Sequence, residues 1–224
     1  ATFLNNMGAK ITGAGTSTIK ITGVNYLGSS FTEVIPDRIE TGTYIIAGAL
    51  IGDNLKINNI IPEHVASLTD KLIEIGCDIK IDDNSVTISQ INNGKPINVK
   101  TLGYPGFPTD LQQPLTTLLT QLNGVSTLEE TIYENRFQNV KYLVDMGASI
   151  DINNKIINVN GPTNLVGKEV EATDLRAGAC LVLAGLKAEG ETTVLNVEHV
   201  LRGYENIIGK LTAVGAKIEL EEYN

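Results

Sequence analysis

The sequence predicts an α/β fold built from three copies of one unit, with the helices buried inside and the sheets outside. Three observations predict it. A helix ending in glycine recurs as LNNMGAKI (4–11), LIEIGCDI (72–79), LVDMGASI (143–150) and LTAVGAKI (211–218). Its glycines, Gly8, Gly76, Gly147 and Gly215, stand about 70 residues apart, the signature of an internal repeat. Each full copy also carries an earlier helix that is apolar on every side, as in ATDLRAGACLVLAG (172–185), and a helix without a polar face belongs in a core. Strands such as TSTIKITG (16–23) and SVTISQ (85–90) instead alternate apolar with polar, so one face of each sheet meets water. The arrangement is an inside-out barrel, the reverse of an ordinary one, and each unit reads strand-helix-strand-helix-strand-strand.

The elements follow in order. ATFLNNMGAKI reads as the end of a helix whose beginning lies elsewhere, and the strand TSTIKITG comes next. GSSFTEVIP (28–36) breaks the periodicity and is read as a crossover, so residues 1–34 are assigned to the tail of one domain and 35–224 to a second. The second domain holds copies at about 35–100, 101–165 and 166–224. In the first copy a buried helix opens at Asp37-Arg38-Ile39 and runs to Gly52; NLKINNI (54–60) is a strand, an amphipathic helix starts near Glu63, and SVTISQ closes the copy. In the second, the buried helix opens at Thr109-Asp110-Leu111 and runs to Gly124, followed by STLEETI (126–132), a helix from near Asn135, and KIINVN (155–160). In the third, Thr173 and Asp174 open a helix that runs to Gly190. TTVLNV (192–197) and a helix from near Leu201 follow, and the copy stops at ELEEYN (219–224), one strand short. In every repeated Gly motif a Leu lies four residues before the glycine and a small residue follows it. That pattern suits a left-handed helix C-cap, with the Ile three residues on starting a strand.

Bulk properties exclude several functions. A net charge of −9 argues against a general nucleic-acid surface, which rests on an excess of Lys and Arg. It leaves room for a small anionic ligand held by a local positive cluster. The longest apolar run, 177–186, is too short to span a bilayer, and no secretory leader pattern is found. Cys77 and Cys180 lie in apolar helical contexts and read as small core residues, which suits a reducing, cytoplasmic compartment.

The charge that carries chemistry is concentrated. The chain has four arginines, Arg38, Arg136, Arg176 and Arg202, and all are expected at or near the first turn of a repeat helix. The helix dipole disfavours a cation there by about 0.3–1 kcal/mol, so the placement needs a reason. One is pairing with the neighbouring acids Asp37, Asp174, Glu134 and Glu205. The other is that several helix mouths converge and hold an anion with guanidinium forks and free N–H groups. Asp37, Asp110 and Asp174 occupy matching places, and an N-cap role explains all three at once. Asp110 differs in having no Arg beside it and in following the stiff segment Tyr104-Pro-Gly-Phe-Pro108, which suits a group held for proton transfer. His64 and His199 sit in corresponding places without a third ligand at metal spacing, so no metal and no cofactor is expected.

FPTD (107–110), ENRF (134–137), ATDLRAGA (172–179), RGYE (202–205) and PDRIETGT (36–43) together closely resemble the enolpyruvyl transferases, over essentially the whole chain and in order. The likeness is to the branch that acts on UDP-N-acetylglucosamine at the committed step of peptidoglycan synthesis. The resemblance implies two domains, each an inside-out barrel of three such units, with substrates between them. It implies that Asp110 takes the proton from the sugar 3-hydroxyl as that oxygen attacks phosphoenolpyruvate, with Arg202 also in the catalytic set. Thr109 then lies beside Asp110, and Ile132 and Tyr133 line the UDP-sugar pocket. Arg136, Asp174, Leu175, Arg176 and Arg202 form the wall around the phosphoenolpyruvate carboxylate and phosphate. Family members are much longer. A missing N-terminal half is expected to supply an early Lys-Asn pair, further arginines and a mobile loop with a reactive Cys that neither Cys77 nor Cys180 matches. The chain is therefore expected to hold one wall of a site and to be inactive alone. Two alternatives remain: the related shikimate 3-phosphate enzyme, disfavoured by ENRF, and a non-catalytic fragment that only binds.

Overall fold

The structure, a computed structural model, describes residues 1–221; the last three residues of ELEEYN lie outside the described residues. The chain divides into two compact units, Ala1–Ile35 and Pro36–Asn224. In the first, helix α1 (Thr2–Asn6) leads into an antiparallel hairpin of β1 (Lys10–Thr12) and β2 (Lys20–Thr22). Asn5 ties helix to strand: its Nδ2 donates to the Ile11 carbonyl and its Oδ1 accepts from the Ile11 N–H, both at 2.8 Å.

The second unit opens with α2 (Arg38–Ile51), β3 (Leu55–Asn58), α3 (Pro62–Ile75), β4 (Ile79–Asp82) and β5 (Ser85–Ile88). It continues with β6 (Asn98–Lys100), a 3-10 turn (Thr109–Leu111), α4 (Gln112–Leu119), β7 (Gly124–Glu129), α5 (Gln138–Asp145), β8 (Ser149–Asn153) and β9 (Ile156–Gly161). It ends with β10 (Glu169–Glu171), α6 (Leu175–Lys187), β11 (Thr193–Leu195), α7 (Glu198–Leu201) and α8 (Ile207–Ala213). The full pattern is seen in the sheet ordered β6-β7-β9-β8, in which β6 runs parallel to β7 and the other pairs are antiparallel, so the middle copy begins a few residues before the expected 101. The first copy forms β3-β5-β4, the same order without a leading strand. The third forms the parallel leading pair β10-β11. Alternation along β7 and β9 turns Ser126, Leu128, Ile157 and Val159 inward.

The repeated glycine motif closes its helices as the pattern requires. Gly8, Gly76, Gly147 and Gly215 have φ of 102°, 100°, 107° and 97°. The N–H after each glycine (Ala9, Cys77, Ala148, Ala216) donates to the carbonyl of the motif leucine (Leu4, Leu72, Leu143, Leu211) at 2.9–3.0 Å. This is the long bond of a Schellman cap, and it fixes where the chain leaves the helix. Ile11, Ile79 and Ile150 then lie in strands, whereas Ile218 does not; its carbonyl accepts from the Thr212 hydroxyl at 3.4 Å.

The core is formed by α2, α4 and α6; α4 is buried as expected but is not apolar all round, since it buries Gln112, Gln113, Thr116 and Thr117 as well. Ile45 and Ile46 of α2, Leu115 and Leu118 of α4, and Cys180 and Leu181 of α6 are fully buried. Asp110 reaches Arg176 at one end, and the Thr117 hydroxyl donates to the Cys180 carbonyl at 3.1 Å further along, so α4 and α6 run in the same direction with their N-termini together. The start of α2 meets the same place: Gly42 has no side chain where Leu111 packs, and a Cβ there would overlap it.

Three helix boundaries differ from the expected ones. Helix α4 stops at Leu119 rather than near Gly124, because the Thr120 carbonyl is taken by the Thr163 N–H at 2.9 Å and the following residues tighten into short-range turns. Helix α6 stops at Lys187 rather than near Gly190, because Glu189 is captured by Leu165 and Gly167 in a parallel bridge beside β10. The helix expected from near Leu201 is two short ones. Asn206 takes a left-handed conformation (φ 48°) and its side chain caps α8 by accepting from the Gly209 N–H at 3.3 Å.

Candidate active site

The site is built on the turn after Pro108. The Leu102 N–H donates to the Phe107 carbonyl and the Leu111 N–H to the Pro108 carbonyl, so Thr109–Leu111 form one tight turn ahead of α4. Asp110 is the second residue of that turn, not the residue preceding it, and it caps nothing. The shared N-cap role holds for the other two aspartates. Asp37 accepts from the N–H groups of Ile39 and Glu40, and Asp174 from those of Arg176 and Ala177 at 2.7 and 2.9 Å.

Asp110 lies instead between two guanidinium groups. Oδ1 accepts from Arg136 Nη2 at 2.7 Å, and Oδ2 lies 3.4 Å from Arg176 Nη2. The Asp110 side chain is 37% exposed while both arginine side chains are 13% exposed, so the carboxylate is the part open to a ligand. Each arginine is held a second time. Arg136 Nη1 donates to Thr109 Oγ1 at 3.0 Å and its guanidinium stacks on the Tyr133 ring, 4.5 Å from the centroid. Arg176 Nη1 donates to the Tyr204 hydroxyl at 3.1 Å. The pairing of arginines with neighbouring acids is not what the site uses: among the described residues none of the four pairs with Asp37, Asp174, Glu134 or Glu205. The two that pair share Asp110.

The other expected residues are placed differently. Arg38 opens α2 and lies 5.5 Å from the Tyr104 ring centroid. Arg202 is the C-cap residue of α7, not part of a first turn. It is exposed, with no side-chain hydrogen bond or ion pair among the described residues. Leu175 is the first residue of α6 and packs beside Gly203. Ile132 and Tyr133 are half exposed on the segment leaving β7.

One residue that the motifs do not single out organises the site. Glu130 is 1% exposed. Its Oε1 accepts from the Thr101 hydroxyl at 2.8 Å and from the N–H groups of Ile132 and Tyr133 at 2.8 and 3.1 Å. Its Oε2 accepts from the Thr109 hydroxyl at 2.8 Å. The signal was period two: Ser126 and Leu128 share the buried face of β7, and the alternation carries on to Glu130, one residue past the strand's end. Tyr204, inside RGYE but given no role there, is the second organising residue, fully buried with its hydroxyl between Arg176 and Thr43.

The thiols stay out of this chemistry. Burial pushes the Cys77 thiol up to about 12 and the Cys180 thiol up to about 11. Cys180 also meets the Thr117 hydroxyl and the Asn139 amide at 3.1 and 3.3 Å. Among the described residues no three His, Cys, Asp or Glu side chains form a metal-binding group, and no helix is long and apolar enough to cross a membrane.

A partly open carboxylate flanked by two guanidiniums can exchange a proton with a substrate while the cations hold an anion beside it. Fold and site thus define an α/β scaffold that presents a carboxylate between two guanidinium groups. The family model for EPSP synthase (3-phosphoshikimate 1-carboxyvinyltransferase) matches residues 1–211, and the chain belongs to that family of carboxyvinyl transferases. It is 49% identical over 97% of its length to UDP-N-acetylglucosamine 1-carboxyvinyltransferase 2 of Listeria monocytogenes. It is 51% identical, also over 97%, to UDP-N-acetylglucosamine 1-carboxyvinyltransferase of Clostridium botulinum. The match covers 52% of each of those proteins, so the chain spans about half the length of the curated relatives it matches. Among solved structures, the enolpyruvyl transferase NikO from Streptomyces tendae superposes with a TM-score of 0.88 at 30% identity, over 96% of this chain and 52% of that one. An EPSP synthase from Acinetobacter baumannii superposes at 0.76 with 18% identity, over 98% and 54%, a likeness of fold alone.

Proposed function

We propose that this chain forms one wall of a site that transfers the enolpyruvyl group of phosphoenolpyruvate to the 3-hydroxyl of UDP-N-acetylglucosamine, the committed step of peptidoglycan synthesis. The observation that carries the reading is Asp110 held between Arg136 and Arg176 where two buried helices open side by side. Asp110 accepts the hydroxyl proton as the sugar oxygen bonds to C2 of phosphoenolpyruvate and C3 takes up a proton from the rest of the site; loss of phosphate from C2 and of a proton from C3 then leaves the enolpyruvyl ether. The 3.4 Å contact to Arg176 is the longer of its two, and it is the one an entering hydroxyl replaces. Arg136 and Arg176 then face the carboxylate and phosphate of phosphoenolpyruvate, with Asp174 and Leu175 placing Arg176 at the start of α6. Thr109 steadies Arg136, and half-exposed Ile132 and Tyr133 border the sugar nucleotide. Arg202, exposed and unpaired among the described residues, has its guanidinium available for the phosphoenolpyruvate phosphate. Such a centre, negative beside the developing oxocarbenium and positive beside the anion, stabilises charge where it forms.

The same reading takes Pro36 onward as one inside-out barrel domain, with residues 1–34 belonging to a partner domain that supplies the rest of the site. It also implies a cytoplasmic setting, which the free thiols Cys77 and Cys180 suit. The test is phosphate release from phosphoenolpyruvate by this chain joined to the remaining portion of the Listeria monocytogenes relative. Release is expected with UDP-N-acetylglucosamine and not with shikimate 3-phosphate; the opposite dependence would transfer the site to the shikimate branch. The 224-residue chain alone is expected to show no turnover.

A further inference from the structure

Glu130 is a buried acid that the reaction does not use, and its surroundings assign it work. Taking a carboxylate out of water is costly unless its oxygens are satisfied. Here both are, and the two oxygens serve different parts of the site. Through Oε1 it gathers the Thr101 hydroxyl and the N–H groups of Ile132 and Tyr133, which fixes the segment leaving β7. Through Oε2 it accepts from the Thr109 hydroxyl. The Thr109 oxygen is thereby left with its lone pairs toward Arg136, whose Nη1 donates to it at 3.0 Å. Arg136 in turn reaches Asp110 at 2.7 Å. The donors run one way along this line: guanidinium to hydroxyl, hydroxyl to Glu130.

We propose that Glu130 is a positioning residue that sets the direction of the Thr109 hydroxyl, and through it the placing of Arg136 against Asp110, while its other oxygen holds the Ile132–Tyr133 segment of the sugar-nucleotide pocket. The proposal deepens the transfer reading and rests on it for its catalytic consequence. Glu130 touches no substrate; it acts through Thr109.

Glu130→Gln separates the two halves. Three donors at Oε1 demand an acceptor, so the amide oxygen stays there and the NH2 group faces Thr109. Two donors, that NH2 and Arg136, then face the Thr109 oxygen and its own proton loses its acceptor. The segment carrying Ile132 and Tyr133 is spared.

The experiment has two readouts. The first is the arginine side-chain NMR spectrum of the 224-residue chain, which contains only four guanidinium groups. Glu130→Gln is expected to speed rotation of the Arg136 guanidinium about threefold or more, because the Thr109 oxygen then divides its two lone pairs between two donors and its hydroxyl loses the acceptor that fixed its direction. Arg38 and Arg202 should stay unchanged. In a Thr109→Val background the same change should have no further effect. An unchanged Arg136 signal, or an equal effect in the Thr109→Val background, overturns the proposal. The second readout is kinetics in the chain joined to the remaining portion of the Listeria monocytogenes relative. There kcat should fall about tenfold or more with the KM for UDP-N-acetylglucosamine within twofold. A KM rise without loss of kcat overturns the catalytic part. If the unsubstituted joined protein shows no turnover, the transfer reading fails, and the NMR result still decides the role of Glu130.

Discussion

Replacing Tyr204 by Phe tests how rigidly the arginine pair is mounted. The hydroxyl of Tyr204, on a fully buried ring, bonds Arg176 Nη1 at 3.1 Å and Thr43 Oγ1 at 2.9 Å. Thr43 keeps a second partner, the Ile39 carbonyl at 2.9 Å, so its loss is small. Arg176 keeps Asp110 at 3.4 Å and loses its shorter contact. A hydrogen bond to a charged group contributes about 1.5–3 kcal/mol, and the partial exposure of Arg176 selects the lower end, about 2 kcal/mol in all. At about 2–4 °C per kcal/mol for a protein of this size, Tm should fall by roughly 4–8 °C in a calorimetric melt at pH 7. The pH dependence adds a second check. Burial raises the Tyr204 phenol above its ordinary value, so its stabilisation is fully present below the unfolded value near 10 and is lost as pH rises further. The gap in Tm between the parent and Tyr204→Phe should therefore narrow above about pH 10. A Tm change under about 1 °C at pH 7 would refute the reasoning, because Arg176 would then have no need of its second contact.

Three further outcomes are expected. Cys77 and Cys180, raised by burial to about 12 and 11, should react with an aromatic disulfide reagent at pH 8 only as fast as the chain opens. Urea should accelerate the labelling, and stoichiometric reaction of the native protein within seconds would contradict it. Their burial also removes stability as pH rises from near 9 toward those values, since the unfolded thiols ionise first. Gly76→Ala and Gly147→Ala both place a Cβ at positive φ, but only at Gly147 does it meet a backbone oxygen, that of Asn164 at 2.8 Å. Urea unfolding should show a loss of about 1–2 kcal/mol for Gly76→Ala and a larger one for Gly147→Ala; the reverse order would show that strain, not space, dominates. Asp174→Ala should cost about 1 kcal/mol by removing the two cap bonds of α6, and a neutral result in the same urea assay would mean that solvent replaces them.

The parts of the fold that local chemistry dictates could be read from the chain itself. The four Gly motifs close with one geometry because glycine alone adopts the left-handed cap without strain, and the leucine that accepts the cap bond is spelled out in each copy. The burial of α2 and α6 followed from their apolar runs, whereas α4 buries Gln112, Gln113, Thr116 and Thr117 beside its leucines, which hydrophobic pattern alone does not explain. What failed were stops set by distant partners. Thr163 ends α4 and Leu165 ends α6, and neither is a neighbour in sequence of the helix it terminates. At the site, Asp37, Asp110 and Asp174 occupy matching places and one N-cap role would explain all three; the missing neighbouring Arg and the stiff approach set Asp110 apart in the sequence, and the geometry shows two caps and one carboxylate shared by two arginines. Arg136 and Arg176 are 40 residues apart in sequence, and nothing local says that they meet Asp110 while Arg38 and Arg202 do not. Glu130 could have been found from strand alternation, because an acid on the inward face needs a reason to be there.

The central claim is that Asp110 moves a proton rather than capping a helix. Asp110→Asn keeps an acceptor for Arg136 and cannot take the sugar proton. In the chain joined to the remaining portion of the Listeria monocytogenes relative, the substitution should lower kcat by about 100-fold or more while calorimetric affinity for UDP-N-acetylglucosamine changes little. Equal losses in turnover and binding, or full retention of turnover, would contradict the account.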